Sequence, residues 1–115
     1  MTTHLCFLVK LREGVTADEF ETFLRDVEHP LLREIPSAVR QRALRVQGFF
    51  EDVGRPLPAH FVDVIEVTDV DTYGEELAAA EGTPAFERFV EGWGRLVEHD
   101  HALRVAEAAA WSRGG

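Results

Sequence analysis

Twice along this chain the hydrophobic residues switch from the two-residue period of a strand to the 3.6-residue period of a helix and back. That order constrains the fold more than any single motif. Residues 4–11, His-Leu-Cys-Phe-Leu-Val-Lys-Leu, read as a strand. Alternation puts His4, Cys6 and Leu8 on one face and Leu5, Phe7 and Val9 on the other. Glu13-Gly14 breaks it, and Thr16-Ala17-Asp18-Glu19 has the form of a capping box. Phe20, Phe23, Leu24, Val27 and Leu31 then mark one stripe of an amphipathic helix. Pro30 lies inside this pattern, so the helix is expected to kink or end near Glu28 and restart through Leu31-Leu32.

Pro36-Ser37 interrupts the chain again. Residues 39–47 fit a strand, 48–59 a loop punctuated by Gly48, Gly54, Pro56 and Pro58, and 60–68 the clearest strand of all. Two strands joined by one loop predict a hairpin. Asp69 to Ala80 reads as a helix stopped by Gly82. Thr83-Pro84 restarts it with a cap and a proline at the first helical position. Phe86, Phe89, Val90, Trp93 and Val97 follow at helical spacing, and residues 99–106 fit a last strand.

The order β-α-β-β-α-β is that of an α+β, ferredoxin-like fold: a four-stranded antiparallel sheet with helices on one face. At 115 residues and 45% hydrophobic content, one domain over 1–115 with one core is expected. The bare face of such a sheet needs a cover, and a second copy supplies it, so a homodimer is expected.

Charge narrows the partners. With 21 acidic against 12 basic residues the net charge is −9, which argues against nucleic acid and against anionic membrane surfaces. Cys6 is the one cysteine, no secretory signal pattern opens the chain, and no apolar run is long enough to span a bilayer. These features point to a cytoplasmic protein. Cys6 reads as a small buried apolar residue or, alternatively, a nucleophile.

Several short stretches carry a resemblance. They are His4-Leu5, Gly14-Val15-Thr16, Ile35-Pro36, Val64 to Thr68, Thr83-Pro84-Ala85-Phe86, and Trp93. Together they make the chain resemble the dimeric α+β barrel superfamily along nearly its whole length. Within it the chain looks most like the REDY-like proteins of prodiginine and bisindole pathways. That likeness rests on the Pro36-Ser37 turn with Arg40 to Val46, the Val64–Thr68 strand and Thr83-Pro84-Ala85-Phe86. More distantly it is similar to polyketide cyclases of the same fold. This second likeness implies a pocket-facing His4 and a supporting Asp100. It puts Phe86 where those cyclases have a catalytic histidine and Asp63 where they have a pocket histidine. Tyr73 falls in the wrong part of the helical segment to replace their tyrosine.

The resemblance implies a cofactor-independent tailoring enzyme of bacterial secondary metabolism. Its substrate would be an aromatic intermediate of polyketide, pyrrole or indole type, and its reaction acid–base cyclisation, dehydration or hydrolysis. Cofactor-free oxygenation of a phenol and binding without turnover are the alternatives. No nucleotide or flavin motif is present. Some related barrels bind haem through one histidine, so that option stays open.

Among the residues, His4 and Asp63 are expected to share a cavity, because strands one and three are neighbours in this fold and a carboxylate beside an imidazole suits acid–base work. Asp100 would assist. The substrate would meet Cys6, Leu8, Phe23 and Val27 on one side, and Ile65, Phe86 and Trp93 on the other, with His29 closing one end. His99 and His101 share a strand face and could hold a metal with Glu66 or His60 as third ligand, although solvated histidines explain the pair as well and no metal is assigned. Arg40, Arg42 and Arg45 could anchor a carboxylate or pair with acidic residues across a dimer.

Overall fold

The computed structural model describes residues 3–114. Strand β1 runs Thr3–Leu11, and a single helical run follows in three parts: α1 (Ala17–Phe23), a π-helical turn (Leu24–Glu28) and α2 (His29–Arg33). The hairpin β2 (Ala38–Arg45) and β3 (Phe61–Val67) comes next, then α3 (Val70–Ala79), α4 (Pro84–Leu96) and β4 (Val97–Ala106). The sheet has the order β2-β3-β1-β4, and its neighbouring pairs are antiparallel. This is the ferredoxin-like arrangement that the order of periods predicts.

The caps explain where the helices begin. Thr16 accepts from the Glu19 amide while Glu19 reaches back to the Thr16 amide. Asp69 caps α3 through the Thr72 amide, and Thr83 caps α4 through the Phe86 amide. Where a kink or break was expected, the helix instead widens. The His29 amide bonds back five residues to the Leu24 carbonyl. Pro30 has no N–H to give, and the wider turn just before it lets the helical run continue through the proline.

Helices cover one sheet face only. Phe20, Phe23 and Leu24 pack with Val9, Phe61 and Leu96 at one end. Leu31, Ile35, Ile65, Val67 and Tyr73 form a second cluster at the other. Val90, expected in the helical stripe, is half exposed, and Val97 opens β4 instead of ending α4. On the opposite, uncovered face, β1 presents His4, Cys6 and Leu8, while Leu44 and Leu103 lie about half exposed on the outer strands. His60 ties the strand ends together: its amide donates to Val9 O, and its Nδ1 accepts from the Leu11 amide at 2.9 Å.

Candidate functional site

Between the helices and the covered sheet face lies a cavity of about 170 Å³. Its walls are apolar: Phe7 and Ile65 from the sheet, Leu31 from α2, Leu77 from α3, and Phe89 and Trp93 from α4. Phe89 and Trp93 stack with ring centroids 5.4 Å apart, and Phe7 meets Trp93 edge-on at 6.3 Å. Four polar side chains also line it: Glu28, Asp63, Tyr73 and Asp100. No Lys, Arg or His does.

Glu28 and Asp63 are the unusual pair. Glu28 is 2% exposed and Asp63 1% exposed. Neither Glu28 oxygen has a donor within reach among the described residues. Loss of solvent, then the facing Asp63 carboxylate, pushes the Glu28 carboxyl well above the ordinary range. Burial also raises Asp63, although Gln41, Glu28 and the nearby His29 pull it back down. As two carboxylates these groups can only repel. A proton on one of them relieves that repulsion, and Glu28 is the group that its surroundings push up the more strongly.

Asp63 has a second support. Gln41 Nε2 donates to Asp63 Oδ1 at 2.7 Å, and Gln41 Oε1 lies 2.8 Å from His29 Nε2. An amide that donates to Asp63 must turn its oxygen to His29, so His29 carries its proton on Nε2. A hydrogen-bonded line thus runs from a partly exposed histidine to the buried carboxyls. Tyr73 sits beside them, its phenol pushed up to about 12 by burial and by the charges of Glu28 and Asp63. It stays protonated near neutral pH and can donate.

The expected residues separate into two groups. Asp63, Ile65, Trp93 and Asp100 line this cavity, while His29 joins it through Gln41. His4, Cys6 and Leu8 do not. Strands β1 and β3 are indeed neighbours, but Asp63 pairs with Phe7, and His4 pairs with Glu66. Residues directly opposite share a face, and His4 is an odd number of positions from Phe7, so His4 and Asp63 lie on opposite faces of the sheet. The His4 ring faces Glu66 at 3.9 Å instead.

Phe23 and Val27 border an outer groove beside Leu96 rather than the cavity, and Phe86 packs into the core behind it. Tyr73, placed by sequence in the wrong part of its helix, is part of the lining. His99 and His101 lie on the uncovered face, their rings 6.1 Å apart. The third ligands considered for a metal are engaged elsewhere, His60 by Leu11 and Glu66 near His4, and no three-residue metal-binding group occurs among the described residues. Arg45 pairs with Asp18 and Glu21 of its own chain.

A ferredoxin-like α+β sheet with a carboxyl-bearing cavity under its helices defines the class of protein. Solved structures share that fold. The crystal structure of HapK from Hahella chejuensis matches with a TM-score of 0.65 at 22% identity, over 97% of this chain and 99% of that one. A dimeric ferredoxin-like protein of unknown function from Thermobifida fusca gives 0.64 at 15%, over 93% and 92%. A dabb family protein with a ferredoxin-like fold from Mesorhizobium loti gives 0.61 at 18%, over 94% and 98%. The family model of REDY-like protein HapK matches residues 3–107, and the chain belongs to that family. No curated protein matches it. Among the described residues no helix is long and apolar enough to cross a membrane.

Proposed function

We propose that this chain is a cofactor-independent acid–base enzyme acting on a small aromatic molecule held under the helices, by cyclisation, dehydration or hydrolysis. The observation that carries the reading is the Glu28–Asp63 pair, buried together and opening on an apolar, aromatic-walled cavity. A carboxyl group kept protonated near neutral pH can give a proton, and its ionised neighbour can take one. Asp63 is the base, held by Gln41. Glu28 is the acid, and Tyr73 supplies a further hydrogen bond. Asp100 assists from β4. At about 170 Å³ the cavity is below the ~300–1,000 Å³ typical of drug-sized ligands, which suits a single-ring substrate or one ring of a larger one.

The test is the titration of the two groups, followed through their side-chain carbonyl carbon shifts in wild type, Glu28→Gln and Asp63→Asn. A proton retained on the pair through neutral pH supports the reading. If both carboxyls titrate in the ordinary range, no acid is available and the reading fails.

The uncovered sheet face supports a homodimer. Its centre is apolar, with Leu8, Val62, Val64 and Leu103 in adjacent strands. Arg40, Glu66 and His4 cross it in register, so each copy brings charges of both signs to the contact. Light scattering on wild type and on Leu103→Asp tests this: a dimer that dissociates in the variant is expected, and a monomeric wild type rules it out.

A further inference from the structure

The lining of the cavity is unbalanced in charge. Three carboxyl groups, Glu28, Asp63 and Asp100, face it, and no basic side chain does. Gln41 satisfies one oxygen of Asp63, but both oxygens of Glu28 are left without a donor although the residue is 2% exposed. A buried acceptor with no donor is unfavourable, and such groups are normally paired. The remaining wall is apolar, and much of it is aromatic: Trp93 and Phe89 stacked, with Phe7 edge-on. A buried carboxyl pair and aromatic rings lining the same cavity are the two features that receive an organic cation.

We infer that the cavity binds a small molecule carrying a protonated amine or amidine on an aromatic or apolar body, with its N–H groups on Glu28 and Asp63 and its body against Trp93 and Phe89. The inference rests on the proposed acid–base site and names the class of molecule that enters it. The cation supplies the missing donors to Glu28 and offsets the negative charge of the pair. An anionic ligand has no basic partner there, and a neutral alcohol offers one donor where two oxygens wait. Single-ring size follows from the volume.

The probe is benzylamine, protonated at neutral pH, compared with benzyl alcohol, which has the same shape and no charge. Binding is read by calorimetry and by the shift of the Trp93 indole N–H resonance, with Trp111 lying exposed elsewhere as the internal reference. Benzylamine is expected to bind about tenfold or more tightly than the alcohol, the difference expected for a charge-assisted against a neutral hydrogen bond. Its affinity should fall when acid adds a second proton to the pair, and at least tenfold in Glu28→Gln. It should survive 0.5 M salt, because a buried contact is little screened whereas general attraction to a chain of charge −9 is lost.

Equal or tighter binding of the alcohol, no binding of either probe, or amine binding that salt abolishes would each overturn the inference. The acid–base reading fails by a different measurement, the ordinary titration of Glu28 and Asp63, so the two can fall separately. The wild-type comparison of amine with alcohol stands even if Glu28→Gln does not fold.

Discussion

Glu28, at the end of a π-helical turn, and Asp63, in the middle of the inner strand β3, bring two carboxyl groups together in the interior, with Gln41 as the one side-chain donor to the pair among the described residues. Burying two acids side by side is unfavourable unless they share a proton. The arrangement therefore costs stability at neutral pH, and the pH dependence of folding reports it.

Glu28→Gln tests that cost. Glu28 has a folded pKa raised above its unfolded value, so its contribution is fully present below the unfolded value and is lost as pH rises through the folded one. While one proton separates the folded from the unfolded chain, stability falls by about 1.4 kcal/mol per pH unit. The glutamine keeps an N–H for Asp63 and cannot ionise. Wild type and variant are expected to have similar stability near pH 4, and the variant to be the more stable at pH 8. Urea denaturation across that range checks it. A wild type whose stability does not fall relative to the variant would show that Glu28 is not held protonated.

Gln41→Leu removes the donor to Asp63 and the partner of His29 together. The buried carboxylate is left without its neutral hydrogen bond, a loss of about 1–3 kcal/mol. The sign with pH follows from Asp63: the bond from Gln41 lowers its pKa, so the variant's Asp63 moves further up. The destabilisation should therefore be smallest in acid and grow towards neutral pH. Thermal melts at pH 4 and pH 7.5 measure the difference, and an equal loss at both would place the effect in packing alone.

The fold was readable because each strand and helix is marked by its own chemistry. The capping box at Thr16, the Thr83-Pro84 start and the alternation of Phe61 to Val67 each appear where the sequence puts them. The site was readable only in part. Asp63, Ile65 and Trp93 stand out by type and period, and Asp100 by the likeness to the cyclases. Glu28 does not, because a charged residue at the expected end of a helix reads as solvated, although it lies four residues after Leu24 and three before Leu31. The π turn delays the rotation by about one residue, so Glu28 points inward and Val27 is only partly buried. His4 failed for the opposite reason: adjacency of two strands was correctly inferred, but their register, which decides faces, is not written in either strand alone. An anomalous proline at position 30 was the available signal for the widened turn.

Gly92 is held by contact. A Cβ at this position on α4 would strike the ring of Phe23, a core side chain 5% exposed. Phe23 in turn stacks on Phe20 and tilts against Phe89 and Trp93, so it cannot withdraw without moving the aromatic wall of the cavity. Gly92→Ala is expected to cost about 1–3 kcal/mol by overpacking, despite the better helix propensity of alanine. Denaturation gives the loss, and changed Trp93 fluorescence would locate it. The neighbouring Gly94→Ala meets nothing within 4 Å and serves as the control.

Tyr73 is the one tyrosine in the chain, so its ionisation can be followed directly by ultraviolet absorbance. Burial first, then the charges of Glu28 and Asp63, push the phenol up to about 12 from its ordinary value of 10.0. A raised folded pKa means that stability is full below the unfolded value and declines as pH climbs towards the folded one. The tyrosinate band should therefore be absent at pH 10.5 in the native protein and present in the urea-unfolded chain at the same pH. Glu28→Gln and Asp63→Asn should each move the transition down, since each removes a negative charge that opposes ionisation. A native tyrosine that titrates with the unfolded chain would place Tyr73 in water, outside the cavity.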